Sequence, residues 1–347
     1  MNTDYLVYTG SYTKNSNKGI HVLKFDPQTG ELELLKGFTG LDNPSYLTIN
    51  HGHTHLYAIS EEAEGKVAAY KIDKATGDMT ALNTQSTGGS FPCYVSINEE
   101  QNVLNISNYG GSVTLIKLEN DGSLGEIIET VEHTGMGVSK ERQDGPHCHS
   151  IIPVPNTNLC AVADLGTDMI SLYDEQELTL KGEISTLPGS GPRHFAFHPS
   201  LSIMYVIQEL SNTIAVFQLN EQGIPNTLLE VMTTLPDDFK DENTAADLHI
   251  SHDGRFLYAS NRGHDSLVTY KILDTGLLEC IGFTSTEGNG PRNFYLLSEE
   301  GYLLTANENS HSITVFKMNE AGIPEFINQQ IELASPVCIQ MVQKDNK

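Results

Sequence analysis

Residues 245–282 read AADLHISHDGRFLYASNRGHDSLVTYKILDTGLLECIG. The stretch contains four short runs rich in aromatic and β-branched residues: ADLHIS, FLYASN, LVTYKI and LLECIG. They are separated by HDGR, RGHDS and LDTG, in which Gly, Asp and Asn favour turns. The stretch therefore predicts four consecutive strands joined by short connections.

The same order of strands recurs along the chain at steps of 45 to 54 residues. Six complete repeats begin at Pro44, Pro92, Pro146, Pro192, Ala246 and Pro291. The N-terminal runs YLVYTG, KGIHVLKFDPQTG and ELELLKG match the second, third and fourth strands of a repeat, and the C-terminal SPVCIQMV matches a first strand. Repeats of this size predict an all-β, seven-bladed β-propeller whose ring is closed by pairing the C-terminal strand with the N-terminal strands. A β-sandwich array or an open solenoid would not need complementary ends.

Length, charge and cysteine content limit the classes of protein to which this chain could belong. A closed ring cannot be cut into separate halves, so we expect one domain over residues 1–347. The net charge of −25 argues against nucleic-acid binding through a basic surface. The sequence has neither a signal-peptide pattern nor an apolar run of membrane-spanning length, and its five cysteines form no CxxC. We expect a cytoplasmic protein without a membrane partner, either a monomer or a weak homodimer.

Aligning the repeats identifies positions that line the mouth of the central channel, where propellers usually bind ligands. The position after each repeat start holds Ser45, Cys93, His147, Arg193, Asp247, Arg292 and Val337. Two residues further, on the same face by strand alternation, stand Leu47, Val95, His149, Phe195, His249, Phe294 and Ile339. The second strands end at Ser11, Glu61, Tyr109, Asp164, Glu209, Arg262 and Glu308, and the preceding column includes Asn261 and Asn307. Charged residues that differ between otherwise regular repeats predict one asymmetric site, mainly in repeats 3 to 6.

Several candidates also have purely structural explanations. These are inner salt bridges for Arg193 and Arg292, a partner carboxylate for Glu209, and core or turn hydrogen bonds for His147, His149 and His249. Turn chemistry is the preferred explanation for His194 and His198 in FHP-type sequence. The histidines of HGHTHL lie in a predicted surface turn, so we predict no metal site there.

Three segments resemble the seven-bladed lactonase family, which includes propeller-type 6-phosphogluconolactonases and fungal carboxymuconate cyclases. They are GPRHFAFHP, LHISHDGRFLYASNRGHDS and ITVFKMNEAG. The resemblance covers essentially the whole chain. It implies a site formed by a histidine, two arginines and a glutamate, which fall on His149, Arg193, Glu209 and Arg262, with His147 as the rival histidine.

The resemblance implies hydrolysis of the δ-lactone of 6-phosphogluconate, a reaction of the pentose phosphate pathway, on a small anionic sugar lactone without a cofactor. Glu209 or His149 would deprotonate water, and Arg193 and Arg262 would bind the oxyanion or the phosphate. The further predicted substrate-binding residues are His147, His249, Asn261, Arg292 and Asn307. Because no serine lies in a G-x-S-x-G elbow, we expect direct attack by water.

Three other functions compete with this prediction. One is a carboxymuconate-type cyclase that uses the arginines to bind carboxylates. Another is a Ca²⁺-dependent lactonase with Glu61, Asn108, Asp164 and Glu308 as ligands, which the nearby arginines disfavour. The third is a non-catalytic interaction propeller, which does not account for the arginines.

Overall fold

The computed structural model describes residues 4–345, and this part of the chain forms 28 β-strands and one short 3₁₀-helix at Thr13–Asn15. The strands are, in chain order, β1 (Tyr5–Ser11), β2 (Ile20–Phe25), β3 (Leu32–Phe38), β4 (Leu47–Ile49), β5 (His55–Ser60), β6 (Lys66–Ile72), β7 (Met79–Ser86), β8 (Pro92–Asn98), β9 (Val103–Asn108), β10 (Ser112–Leu118), β11 (Leu124–Glu132), β12 (Cys148–Pro153), β13 (Leu159–Asp164), β14 (Met169–Asp174), β15 (Leu180–Ser185), β16 (Pro192–Phe197), β17 (Ile203–Gln208), β18 (Thr213–Leu219), β19 (Pro225–Thr233), β20 (Thr244–Ile250), β21 (Phe256–Arg262), β22 (Ser266–Ile272), β23 (Leu278–Ser285), β24 (Pro291–Leu297), β25 (Tyr302–Asn307), β26 (Ser312–Met318), β27 (Pro324–Glu332) and β28 (Pro336–Gln343). Among the described residues, no helix has the length and apolar character needed to cross a bilayer.

The strands form seven antiparallel four-stranded sheets, which confirms the predicted propeller. Blades 1 to 6 are consecutive groups of four strands, from β4–β7 to β24–β27. Blade 7 has the order β28-β1-β2-β3, with Tyr5 paired to Gln343 and Gly10 to Cys338. The C-terminal strand therefore closes the ring, as the complementary ends of the sequence predict.

The apolar core lies between the blades. Seven clusters of buried apolar side chains occur in the described chain, and each joins two neighbouring blades. For example, Phe25 of blade 7 meets Tyr302 of blade 6 edge to face, with ring centroids 5.0 Å apart. Because burial of apolar area is the main stabilising contribution, each blade depends on both of its neighbours. The channel is thereby left free for polar side chains.

The first strands of blades 2 to 7 carry a β-bulge near the channel mouth. In β16, Pro192 pairs with Gln208 and His194 pairs with Ile207, so Arg193 has no partner. The corresponding unpaired residues of the other strands with a single skipped position are Cys93, His149, Arg292 and Val337. In β20, Ala246 and Asp247 lie opposite Ser260 alone, between the pairs Ala245–Asn261 and Leu248–Ala259. A bulge changes the direction of the side chain that it carries. The bulge residues of the first strands therefore form a column of their own, which does not follow the regular alternation of the strands.

These registers correct two of the aligned positions. The prediction that His147 is equivalent to Arg193 was wrong, because β12 begins at Cys148 and its bulge residue is His149. Asp247 was also misplaced, because the repeat in blade 5 starts one residue earlier and Ala246 follows it. His149, Arg193 and Arg292 therefore share one column.

A third correction concerns the ends of the second strands. Gln208 pairs with Thr213, and Asp164 pairs with Met169, so these two pairs close equivalent hairpins. The residue equivalent to Glu209 is consequently Leu165, and the alignment of Asp164 with Glu209 was wrong. Asp164 instead caps its own turn by accepting backbone hydrogen bonds from His147, Gly166 and Thr167.

Candidate active site

A buried carboxylate, Glu209, joins three arginines from three parts of the chain. Nε of Arg193, on β16, donates to its Oε2 at 3.0 Å, and Nη2 of Arg262, at the end of β21, lies 2.9 Å from the same oxygen. Nη2 of Arg142, between β11 and β12, donates to Oε1 at 2.5 Å. We call these four residues the arginine cluster.

Charge within the arginine cluster fixes the protonation state of Glu209. Burial acts to raise the pKa of this carboxyl, but Arg262 and Arg193, together with Arg142, hold it well below its usual range. Burial lowers the pKa of Arg262 to about 10, which leaves the guanidinium charged at neutral pH. Three positive charges thus surround one negative charge, and the cluster favours anions.

His149 lies beside the arginine cluster and is almost fully buried. Its ring centroid is 5.3 Å from that of His194 and 5.9 Å from that of Tyr109. Burial and the charge of Arg193 hold the pKa of His149 well below its usual range. Its Nδ1 has no hydrogen-bond partner within residues 4–345. A neutral imidazole accepts a proton from water at its unprotonated ring nitrogen, which has to be the nitrogen that faces the channel.

His147, the rival histidine, stands at the rim. Its ring stacks on Tyr109 with centroids 4.3 Å apart, and its Nδ1 donates to the carbonyl of Tyr109 at 2.9 Å. Its Nε2 lies 3.5 Å from Asp144. These contacts hold His147 against the wall, so the structure brings His149 rather than His147 next to the arginine cluster.

A second group of charges lies on the side of blades 6, 7 and 1. The guanidinium of Arg292 is 5.5 Å from the ring centroid of Tyr12 and 3.8 Å from Glu308, and the Tyr12 hydroxyl donates to Glu61 at 3.0 Å. Burial acts to lower the pKa of Arg292, but Tyr12, Glu61 and Glu308 hold it above its usual value. We call these four residues the acidic cluster, since two carboxylates outnumber one guanidinium.

The arginine cluster and the acidic cluster both lie near Cys93 at the channel mouth. The buried thiol of Cys93 is influenced electrostatically by Glu61 and Arg292 on one side and by Arg193 and Glu209 on the other. Burial, the largest effect, raises the pKa of this thiol. The two clusters therefore lie close to each other at the channel mouth, one with an excess of positive charge and the other with an excess of negative charge.

A layer of side chains crosses the channel beside the arginine cluster. Tyr46 of blade 1 and Tyr94 of blade 2 pack with ring centroids 4.2 Å apart and an angle of 30° between their planes. Both rings contact His194 of blade 4, with centroid distances of 6.1 and 5.1 Å. Nδ1 of His194 donates to Asp247 at 2.8 Å, and the Asn293 amide donates to the other oxygen of Asp247 at 2.6 Å. Contacts between blades 1 and 4, which are not neighbours, have to span the channel. We call these five residues the channel layer.

Three predicted substrate-binding residues lie in other networks. The side-chain oxygen of Asn261 accepts from Thr234 at 2.7 Å, and the amide of Asn307 donates to Thr314 at 3.1 Å, both in fully buried surroundings. His249 packs edge to face on Phe294, and its Nε2 is 3.0 Å from Asp247. The bulge in β20 interrupts the expected alternation, so His249 contacts the channel layer rather than the arginine cluster. Binding roles for these three residues stay predictions.

The four residues considered as possible calcium ligands, Glu61, Asn108, Asp164 and Glu308, belong to three separate hydrogen-bond and ion-pair networks. Asn108 donates to Ser112 at 3.1 Å, and Nδ1 of His133 lies 2.8 Å from Asp164. Glu61 and Glu308 belong to the acidic cluster with Arg292.

Two residues of the site escaped the sequence-based prediction. His194 was assigned to a turn, whereas it is a buried residue of β16 in the channel layer, where burial and Arg193 lower its pKa to about 4. Arg142 lies in a stretch that resembles a plain insertion. One available signal was the arginine count, because the chain has five arginines and four of them line this mouth.

Comparison with known proteins identifies the family. A family profile described as "Lactonase, 7-bladed beta-propeller" matches residues 6–341. The chain belongs to the seven-bladed β-propeller lactonase family. This propeller lactonase is 36% identical to a 6-phosphogluconolactonase of Bacillus subtilis over 348 residues, which cover 99% of each protein. It is 34% identical to a 6-phosphogluconolactonase of Formosa agariphila, with 96% of this chain and 99% of the relative covered.

A solved structure extends the likeness to three dimensions. The periplasmic gluconolactonase of Pseudomonas aeruginosa matches with a TM-score of 0.93 and 30% identity, covering 99% of this chain and 100% of that one. Family membership supports hydrolysis of a lactone as the class of reaction catalysed by this propeller lactonase.

Proposed function

We propose that this propeller lactonase hydrolyses the δ-lactone of 6-phosphogluconate by direct attack of water. The observation that carries the proposal is the arginine cluster beside the neutral His149, in a chain whose net charge is −25. Local positive charge is needed to bind a phosphorylated substrate against the field of such an acidic protein. The names of the relatives from Bacillus subtilis and Formosa agariphila support the same substrate.

His149 is the proposed general base. It takes one proton from water while the water oxygen bonds to the carbonyl carbon of the lactone, and the carbonyl oxygen becomes an oxyanion. Arg193 and Arg262 stabilise this charge, a contribution that can reach roughly 10² to 10³ in rate for one donor. The bond from the carbonyl carbon to the ring oxygen then breaks, and His149 returns its proton to that oxygen.

Glu209 acts as a positioning residue in this proposal. The oxygens of Glu209 are engaged by three guanidinium groups, which hold its pKa well below its usual range, so they are less available to a water than the imidazole of His149. Its two oxygens instead orient the guanidinium groups of Arg142, Arg193 and Arg262. In the acidic cluster, Glu61 and Glu308 can accept hydrogen bonds from the hydroxyl groups of the sugar.

The first test is hydrolysis of freshly generated 6-phosphogluconolactone, with unphosphorylated gluconolactone and an EDTA-treated sample in parallel. We expect turnover well above the spontaneous rate, a preference for the phosphorylated lactone, and no effect of EDTA. Activity that EDTA removes and Ca²⁺ restores would favour the calcium mechanism. No rate above the spontaneous one would refute this substrate, and carboxylated lactones would be tested next. A cytoplasmic location and a single domain remain predictions alongside this function.

A further inference from the structure

The segment between β11 and β12, residues 133–147, places Arg142 in the mouth. Its anchor is Gln143, which is buried although it lies in a loop. The Gln143 amide donates to the carbonyl of Leu165 at 2.9 Å and to Asp168 at 2.8 Å, and its side-chain oxygen accepts from the backbone of Ser139 at 3.1 Å. Asp168 also accepts the backbone N–H groups of Gly189 and Gly191, ahead of blade 4. The backbone next to Arg142 is therefore fixed before any ligand arrives.

Arg142 is the arginine of the mouth that is most available to a ligand. Its side chain is 41% exposed, compared with 3% for Arg193, 15% for Arg262 and 19% for Arg292. A guanidinium has five N–H donors, and the contacts with Glu209 and with the Tyr109 hydroxyl engage only part of them. Arg193, by contrast, also donates to the carbonyl of Ala246 from within the wall.

Arg142 and Arg292, the other arginine that could bind a phosphate, differ in the charges that surround them. Arg292 has Glu61 and Glu308 beside it, which repel an anion. Arg142 shares Glu209 with Arg193 and Arg262, so positive charge is in excess there. A dianionic phosphate is consequently favoured at the Arg142 end of the cavity.

We propose that Arg142 is the specificity-determining residue that binds the phosphate of the substrate, while Arg193 and Arg262 act at the lactone carbonyl. This inference rests on the proposed function and adds to it the residue that distinguishes phosphorylated from unphosphorylated lactones. The Nη2 bond to Glu209 holds the guanidinium in place, and its remaining donors form a bidentate contact with phosphate oxygens. Gln143 positions Arg142 for this contact.

The test compares Arg142→Met and Arg142→Lys with wild type, by kcat/KM for 6-phosphogluconolactone and for gluconolactone. We expect Arg142→Met to lower the ratio of the two values at least about tenfold, mainly through KM for the phosphorylated lactone, because a bidentate charged contact is lost. Arg142→Lys should recover part of the loss, since it keeps the charge but lacks the planar fork. Lys140→Met, an exposed cation of the same loop, should leave both values as in wild type.

A purely structural role of Arg142 would lower both kcat/KM values equally and leave their ratio unchanged, which would overturn the inference. Calorimetric binding of the product 6-phosphogluconate provides a readout that does not depend on turnover. Should wild type hydrolyse neither lactone, the proposed function is wrong, yet binding that is lost in Arg142→Met and kept in Lys140→Met would still support the phosphate contact. Equal binding by wild type and Arg142→Met, or no binding by wild type, would refute it.

Discussion

The guanidinium groups of the arginine cluster act on two neighbouring side chains, Glu209 and His149. They stabilise the charged form of Glu209 and destabilise the charged form of His149. For the carboxylate of Glu209, nearby guanidinium groups stabilise the charged form, so this side chain stays ionised although it is buried. For the imidazole of His149, burial and Arg193 destabilise the charged form, so this side chain stays neutral. An anion that stays ionised suits a positioning residue, and an imidazole that is unprotonated at neutral pH is in the form that a general base requires.

The pH dependence of the reaction should reveal this lowered pKa of His149. A base works when it is deprotonated, so we expect kcat/KM of wild type to stay level from pH 8 through the usual histidine pKa of about 6.5 and to fall only in more acidic buffer. His149→Gln should lose at least about 10²-fold in kcat, a typical contribution of general base catalysis. The measurement is the initial rate between pH 5 and 8 after subtraction of spontaneous hydrolysis.

Exposed His252 provides the matched control for this substitution. His252→Gln should show the rate and pH profile of wild type. If His149→Gln retained most of the wild-type rate, another group would have to be the base.

At the level of strands, the sequence predicts where the strands lie better than it predicts their β-bulges. The alternation of residues and the turn signals locate four strands per repeat, and the structure has them. The bulges are not visible in the pattern, because an unpaired residue such as Arg193 shifts the alternation without changing composition. His194 was assigned to a turn because of the FHP-type sequence, and His147 was aligned with Arg193 because the repeat was counted from Pro146 although Cys148 is the residue equivalent to Pro192. Arg142 was missed for a different reason, since its position depends on the tertiary contacts of Gln143.

The turn between β14 and β15 carries a buried acid outside the active site. Glu175 accepts a hydrogen bond from the Asn98 amide, while its Oε1 has no partner within residues 4–345. Burial raises the pKa of this carboxyl to about 7. The folded protein thus keeps a proton that the unfolded chain releases near the usual pKa of a glutamate. This contribution to stability is complete below the unfolded pKa and is lost as the pH rises through about 7.

Replacing this acid by its neutral isostere should stabilise the blade at alkaline pH. We expect Glu175→Gln to raise the free energy of unfolding at pH 8 by about 1–2 kcal/mol, with little effect at pH 5, because the amide needs no deprotonation. Urea unfolding of both proteins at the two pH values measures the difference. Glu177→Gln, at an exposed position of the same turn, is the control and should show no such pH-dependent gain. A loss of stability at both pH values would contradict the expected protonation state.

For the whole molecule, stability is distributed around the ring. Each of the seven apolar clusters joins two neighbouring blades, so a blade on its own would expose both of its apolar faces. The pairing of β28 with β1 completes blade 7 and contributes Ile339 and Met341 to the cluster shared with blade 6. Loss of this strand would expose an edge and two interfaces at once.

Deleting residues 335–347 should therefore prevent stable folding. We expect the truncated protein to be largely insoluble or to unfold at least about 10 °C lower than wild type, because it loses a full strand and its buried side chains. Thermal unfolding followed by circular dichroism measures this change. The control deletes residues 344–347 and keeps β28 intact, so it should unfold close to wild type. A stable and active protein without residues 335–347 would contradict the role of β28 in closing the ring.

The channel layer also has a kinetic consequence. Because the rings of Tyr46, Tyr94 and His194 meet across the axis, we expect a ligand at the arginine cluster to enter and leave by the same mouth. Substrate and product therefore use the same route, and a second lactone cannot enter until the hydrolysed acid has left. Since the product keeps the phosphate and gains a carboxylate, the arginines that attract the substrate also retain the product. Release into solvent, rather than bond cleavage, would then limit turnover once the product accumulates.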